Sequence, residues 1–388
     1  MHLLFMNTIR RVLLLSGLIL ASLVPSMSAA QSSVVTEALR LEAQGRIAEA
    51  ERAWQSVVQS NPESPEALVH LGLLEAHEQR YPQAVGFYLR ALAKAPNLPG
   101  LETNLGLAYF KNGQFADALK PFADELKRHP GDPRLTLLLG MTHYGMADYL
   151  VAVPFLKRGA QQDPQNLPLR LTLAHSCLWS RQYECVWSTY TEILSLNPSS
   201  AEAEMLVGEA LDETGDDMGA IKHFRAAAVS NPKEPNVYFG LGYLLWTQSH
   251  YSEAAQSLTL EIANDPQHGQ AHAYLGDCFV QLNQYADAEP ELRLALQIDP
   301  QSPVAHRDLG IVYAATGRTG EAETELNRAI ALDPEDTIGR YRRARLFQSL
   351  GRRDEAAADF KAVGAMKQQQ NDALIKKLAS KQVASRTP

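Results

Sequence analysis

Leu105 to Pro130 reads LGLAYFKNGQFADALKPFADELKRHP. Apolar residues at spacings of three and four lie on both sides of Asn112-Gly113, which describes two amphipathic helices joined by a turn. A step of 34 residues in either direction reproduces the pattern. The closing proline recurs as Pro62, Pro96, Pro130, Pro164, Pro198, Pro232, Pro266, Pro300 and Pro334. The chain has 21 prolines in 388 residues, so nine landings in one register are not chance. A fixed period of about 20–50 residues marks a solenoid or array.

Three further columns keep the period. Glycine stands at 72, 106, 140, 208, 242, 276 and 310. Alanine stands at 50, 84, 118, 152, 220, 254, 288 and 322. A bulky apolar side chain follows each alanine column by four: Trp54, Tyr88, Phe122, Leu156, Tyr190, Phe224, Leu258, Leu292 and Leu326. Small residues allow two helices to approach, and bulky ones fill the space beside the contact. Asn or Asp precedes most of the prolines, as in Asn61, Asn197 and Asp265, and is expected to close a helix in the left-handed conformation. Pro65, Pro99, Pro133, Pro235 and Pro303 are expected to open the next helix. Glycine marks several mid-repeat turns, at 45, 113, 215, 317 and 351.

The run Leu105-Gly106, Ala118 to Phe122, Pro130 resembles the tetratricopeptide repeat, and the resemblance covers ten units over residues 31–370. It implies an all-α fold, a right-handed superhelical solenoid of helix-turn-helix repeats. It also implies a concave groove, lined by the first helix of each unit, that binds a peptide or protein segment. The fifth unit departs most, with Ala174 in the glycine column and Val186 in the alanine column, and is expected to be a weak point that opens early. Ala38 and Ala344 replace glycine in the end units, which are expected to be atypical.

Residues 1–30 stand outside the array. Arg10 and Arg11, an apolar run from Val12 to Val24, and Ser28-Ala29-Ala30 have the layout of a cleaved export signal. The expected location is therefore the periplasm or exterior of a bacterium, and the alternative is an uncut membrane anchor. Residues 371–388 follow the array; Leu374, Ile375 and Leu378 among Lys376, Lys377 and Lys381 predict a short capping helix and tail.

The net charge is −8, unevenly spread. Residues 337–388 carry twelve Lys and Arg against four Asp and Glu, and residues 1–30 carry only two arginines, so residues 31–336 total −18. An acidic body argues against nucleic acid as the ligand. Cys177, Cys185 and Cys278 are the cysteines. A bridge between Cys177 and Cys185 and three buried thiols both fit the spacing.

The sequence carries no phosphate-cradling loop, no His-Glu-x-x-His and no nucleophile elbow. His268, His272 and His306 are the best metal candidates, but a structural role is expected for them. No catalytic, cofactor or metal site is assigned, and no small-molecule substrate is expected. Projecting the family's groove-facing columns gives Phe110, Tyr144, Trp179, Phe239, Tyr243, Trp246 and Tyr341 as aromatic members, and Glu202, Glu209, Asp212 and Asp277 as acidic ones. Such a surface suits a protein or peptide with apolar anchors and basic residues beside them. The function expected is an exported, non-catalytic protein-interaction scaffold. The alternative is a membrane-anchored accessory subunit of an envelope assembly or secretion complex, with an enzyme third.

Overall fold

Residues 29–384 are described by the computed structural model. Among them the chain is twenty helices in head-to-tail pairs and no strands. It divides into two units, the first ending at Ser199 and the second beginning at Ser200.

The first unit holds repeats one to five. These pair α1 (Ala29–Ala43) with α2 (Ile47–Ser60), α3 (Pro65–His77) with α4 (Tyr81–Lys94), and α5 (Leu101–Lys111) with α6 (Phe115–Arg128). The last two pairs are α7 (Pro133–Gly145) with α8 (Tyr149–Gln162), and α9 (Leu167–Trp179) with α10 (Tyr183–Leu196). The second unit holds repeats six to ten. Its pairs are α11 (Ala201–Thr214) with α12 (Asp217–Ser230), α13 (Val237–Thr247) with α14 (Tyr251–Asn264), and α15 (Gly269–Gln281) with α16 (Tyr285–Ile298). They finish with α17 (Pro303–Ala315) and α18 (Thr319–Leu332), then α19 (Thr337–Ser349) and α20 (Arg353–Ala384). The stretch read as an export signal lies outside the described residues as far as Ser28.

The glycine column exists to let one side chain in. A Cβ on Gly276 would stand 2.5 Å from Leu292, and one on Gly72 would stand 2.4 Å from Tyr88. The same holds at Gly106 against Phe122, Gly208 against Phe224, Gly242 against Leu258 and Gly310 against Leu326, always sixteen residues on. Beneath lies the alanine column, fully buried, with the carbonyl oxygen of Ala322 3.2 Å from where a Cβ on Gly310 would be. The repeat is thus a knob seated on bare backbone. Gly276→Ala is expected to destabilise the second unit by about 1–3 kcal/mol through overpacking. Chemical denaturation checks it, and an unchanged midpoint would remove the knob from the account.

Where alanine replaces that glycine, the knob sits less deep. Tyr190 and Phe360, the partners of Ala174 and Ala344, are only half-buried, whereas Tyr88, Phe122, Leu258, Leu292 and Leu326 are buried. Trp54, opposite Ala38, stays buried because it stacks on His70 at 4.3 Å and donates its indole N–H to Glu42 at 2.6 Å.

Two expectations about the turns are corrected. The residue before each column proline is not left-handed: Asn61 has φ −138° and ψ 85°, Asn197 φ −141° and ψ 92°, Asp265 φ −133° and ψ 92°. Proline's ring clashes with a helical neighbour and drives the preceding residue to an extended conformation. Left-handed residues occupy the mid-repeat turn instead, in all ten repeats: Gly45, Gln79, Gly113, Ala147, Arg181, Gly215, Ser249, Asn283, Gly317 and Gly351. The next N–H in that turn reaches back five residues, as from Arg80 to the Glu75 carbonyl, and closes the first helix. Pro65, Pro133 and Pro303 do open helices, but Pro99 and Pro235 do not. There the helix starts two residues later, after left-handed Gly100 and Asn236.

The stretch expected to form a separate short helix continues the last helix of repeat ten. α20 runs unbroken from Arg353 to Ala384, since no proline interrupts it, and Ile375 is exposed. Among the described residues no helix is long and apolar enough to cross a membrane.

Candidate binding surface

Four rings meet on the first helices of repeats seven and eight. Phe239, Tyr243 and Trp246 follow one another on α13 at spacings of four and three, and so share a face. Tyr274 of α15 packs against all three, with centroids 6.1 Å from Phe239, 5.3 Å from Tyr243 and 4.9 Å from Trp246. His268 leans on Phe239 at 4.6 Å. All four aromatic rings are half-buried, so one side of the patch meets solvent.

A polar ladder runs beneath the rings. Trp246 donates its indole N–H to Oδ2 of Asp277 at 2.8 Å. Asp277 also accepts from Gln281 at 2.8 Å and from Arg307 at 3.4 Å. Arg307 forks onto both oxygens of Asp308, at 2.8 and 3.0 Å. Asp277 is 1 % exposed and Asp308 0 %. Two buried carboxylates therefore share one guanidinium. Burial pushes the Asp308 carboxyl up to about 7; Arg307 opposes that and Asp277 adds to it. Asp308 holds its proton to a higher pH folded than unfolded. Its contribution to stability is whole below 3.8 and is lost as pH rises through about 7. Denaturation of the second unit at pH 5 and pH 8 is expected to show a fall in stability that Asp308→Asn abolishes. An equal fall in the variant would place the effect elsewhere.

The first unit has its own aromatic patch. Tyr144 of α7, Tyr149 of α8 and Trp179 of α9 meet with centroids 4.7–6.0 Å apart, and His175 lies 5.0 Å from Trp179. Trp179 is 37 % exposed.

Of the residues chosen from sequence, Tyr144, Trp179, Phe239, Tyr243 and Trp246 fall in these patches. Tyr341 is exposed and edge-on to Phe360, while Glu202 is half-buried and Glu209 and Asp212 are exposed on α11. Burial, with Asp217 and Glu213 adding, raises the Asp212 carboxyl above its usual range. Two assignments are corrected. Phe110 is buried against the ring of Phe115, and Asp277 is buried under Trp246, so neither side chain is offered to a partner. Sequence reading missed Tyr149, Tyr274 and Arg307. Tyr274 stands in the column of Asn104, two before the glycine, so an aromatic scan of that column would have found it.

His268 reaches back to Asn236 of the preceding repeat at 3.0 Å, whereas His272 and His306 each make the same pair of local contacts. His272 lies 2.6 Å from Glu291 and 3.2 Å from the Pro266 carbonyl, and His306 repeats both contacts with Glu325 and Pro300. Cys177 and Cys185 are bridged, and Cys278 is buried, its thiol pushed up to about 12.

A tetratricopeptide repeat model matches residues 35–99, 103–166 and 239–303, and a second one matches 279–339, together more than half of the chain. This chain belongs to the tetratricopeptide repeat family. Among curated proteins, this repeat chain is 24% identical over 210 residues to BBSome complex member BBS4 of Bos taurus, across 54% of this chain and 40% of that protein. It is 38% identical over 86 residues to intraflagellar transport protein 70A1 of Mus musculus, across 21% and 12%. The chain thus spans less than half the length of these relatives. Among solved structures, the Cut9 and Hcn1 hetero-tetramer of APC/C is similar with a TM-score of 0.48 at 18% identity, over 77% of this chain and 58% of that one. YrrB, described as a TPR protein with an unusual peptide-binding site, gives 0.39 at 19% identity, over 48% and 97%.

Proposed function

We propose that this tetratricopeptide repeat protein is an exported, non-catalytic scaffold that holds a protein segment on the first-helix face of its second unit. The observation that carries this reading is the patch of Phe239, Tyr243, Trp246 and Tyr274, half open to solvent and seated over buried carboxylates. Aromatic rings with one wet side are the side chains that anchor protein interfaces. The carboxylates Glu209 and Asp212 and the acidic body favour an incoming segment with Lys or Arg beside its apolar anchors. One relative is named as a BBSome complex member, which supports a protein partner rather than a small molecule.

Export is supported by the layout of residues 1–30 and by the Cys177–Cys185 bridge, a pairing that persists in oxidising compartments. The experiment is affinity capture from the cell envelope with the mature chain and, in parallel, with a Phe239→Ala/Tyr243→Ala variant of unchanged melting temperature. One protein retained by the first and lost by the second supports the reading. Equal capture by both removes the patch. Intact mass of the captured bait's native counterpart decides cleavage: a start near Gln31 supports a cut signal, and the full-length mass supports the anchored alternative.

A further inference from the structure

The bridge lies in the repeat whose helices cannot seat a knob properly. Ala174 puts a methyl where other interior repeats have bare backbone, and Val186 enlarges the alanine beneath; both are buried. Tyr190 is displaced to a half-buried position as a result. Cys177 on α9 and Cys185 on α10 join the same two helices with Cα atoms 5.7 Å apart. The covalent link stands where packing is poorest.

The two sulfur-bearing residues are not equally reachable. Cys177 is 0 % exposed. Cys185 is half-buried and lines a crevice of about 110 Å³ with Lys157, Arg170, Ser188, Thr189 and Glu192. Arg170 is held there by Glu192 at 3.1 Å, and the Lys157 side chain is exposed at the mouth. Attack on a disulfide comes along the S–S axis at one sulfur and expels the other. An opening beside Cys185 therefore selects Cys185 as the sulfur attacked and Cys177 as the one released. Cations beside the opening favour an anionic nucleophile.

We propose that Cys185 is a thiol-exchange site for a small anionic thiol and that exchange there releases the fifth repeat. The thiolate forms a bond to Cys185 Sγ, the Cys185–Cys177 bond breaks, and Cys177 leaves as a thiolate that takes a proton from water. A second thiol then attacks the mixed disulfide, leaving Cys185 reduced and the two small thiols joined. Two thiols are oxidised and one disulfide is reduced, so electrons balance. Freed of the bridge, α9 and α10 are left with the off-pattern Ala174 and Val186 in their packing and with the Arg170–Glu192 pair.

The test uses the folded wild-type chain, reduced glutathione as probe and peptide mapping of the adduct. Glutathione is expected on Cys185, formed without denaturant and severalfold more slowly in Lys157→Glu. Adduct on Cys177, or reaction only in denaturant, overturns the site. Cysteamine, a cationic thiol, is expected to be slower than glutathione at equal thiolate, and the reverse order overturns the preference for anions. Hydrogen exchange in α9 and α10 of the modified chain is expected to rise by about one to two orders of magnitude, the scale of a short-loop bridge. Unchanged protection there overturns the release.

Discussion

Arg307→Met is expected to lower the stability of the second unit by about 3–5 kcal/mol, the largest effect of any single substitution outside the core. The side chain is 11 % exposed and stands between two buried carboxylates. Without it, Asp277 keeps only the donors of Trp246 and Gln281, and Asp308 loses its guanidinium. A buried carboxylate that loses its partner suffers the desolvation penalty in full, so the loss exceeds the worth of the pair itself. The loss should be larger at pH 8 than at pH 5, because Asp308 can hold a proton at the lower pH and needs no partner then. Adding Asp277→Asn and Asp308→Asn to Arg307→Met should recover most of the stability by removing both charges. Urea denaturation of the three proteins at the two pH values measures this. A loss under about 1 kcal/mol for Arg307→Met at pH 8 would show that solvent reaches the ladder and screens it.

Tyr243→Ala is expected to weaken partner binding by about 2 kcal/mol or more, near thirtyfold, with little loss of stability. Tyr243 is half-buried and its ring lies beside Trp246 at 5.8 Å and Tyr274 at 5.3 Å. Trp246→Ala is expected to weaken binding as well, but at an added stability loss of about 1–3 kcal/mol. Its indole N–H is committed to Asp277, so truncation leaves a buried acceptor short of a donor. Calorimetric titration of each variant with the captured partner, beside its melting curve, separates the two effects. Normal affinity in a folded Tyr243→Ala protein would show that the patch is packing and that the partner docks elsewhere. Glu209→Lys should slow association and reduce its salt dependence, since exposed carboxylates act on the rate of encounter.

The repeat, its period and its helix pairs were determined by the sequence alone. Most repeats solve the same problem in the same way, a knob such as Leu292 seated on a glycine such as Gly276, and a shared solution repeats in register. Local rules decided less at the turns. Asn61 was readable as a helix end but not as extended, because the proline after it outweighs its own preference. The left-handed positions at Gln79, Ala147 and Arg181 carry no local signal, and the geometry of the helix pair imposes them. Tertiary structure alone decided the ladder and the patches. Trp246 meets Asp277 31 residues on, and Asp277 meets Arg307 30 residues on, both short of the 34-residue period by about one helical turn. Neighbouring first helices pack with that offset, so their contacts run diagonally across the columns. A column shows what a position faces within its own repeat. Only the packed helices show that Asp277 lies under a ring, that Phe110 points inward, and that Cys177 and Cys185 share a bond.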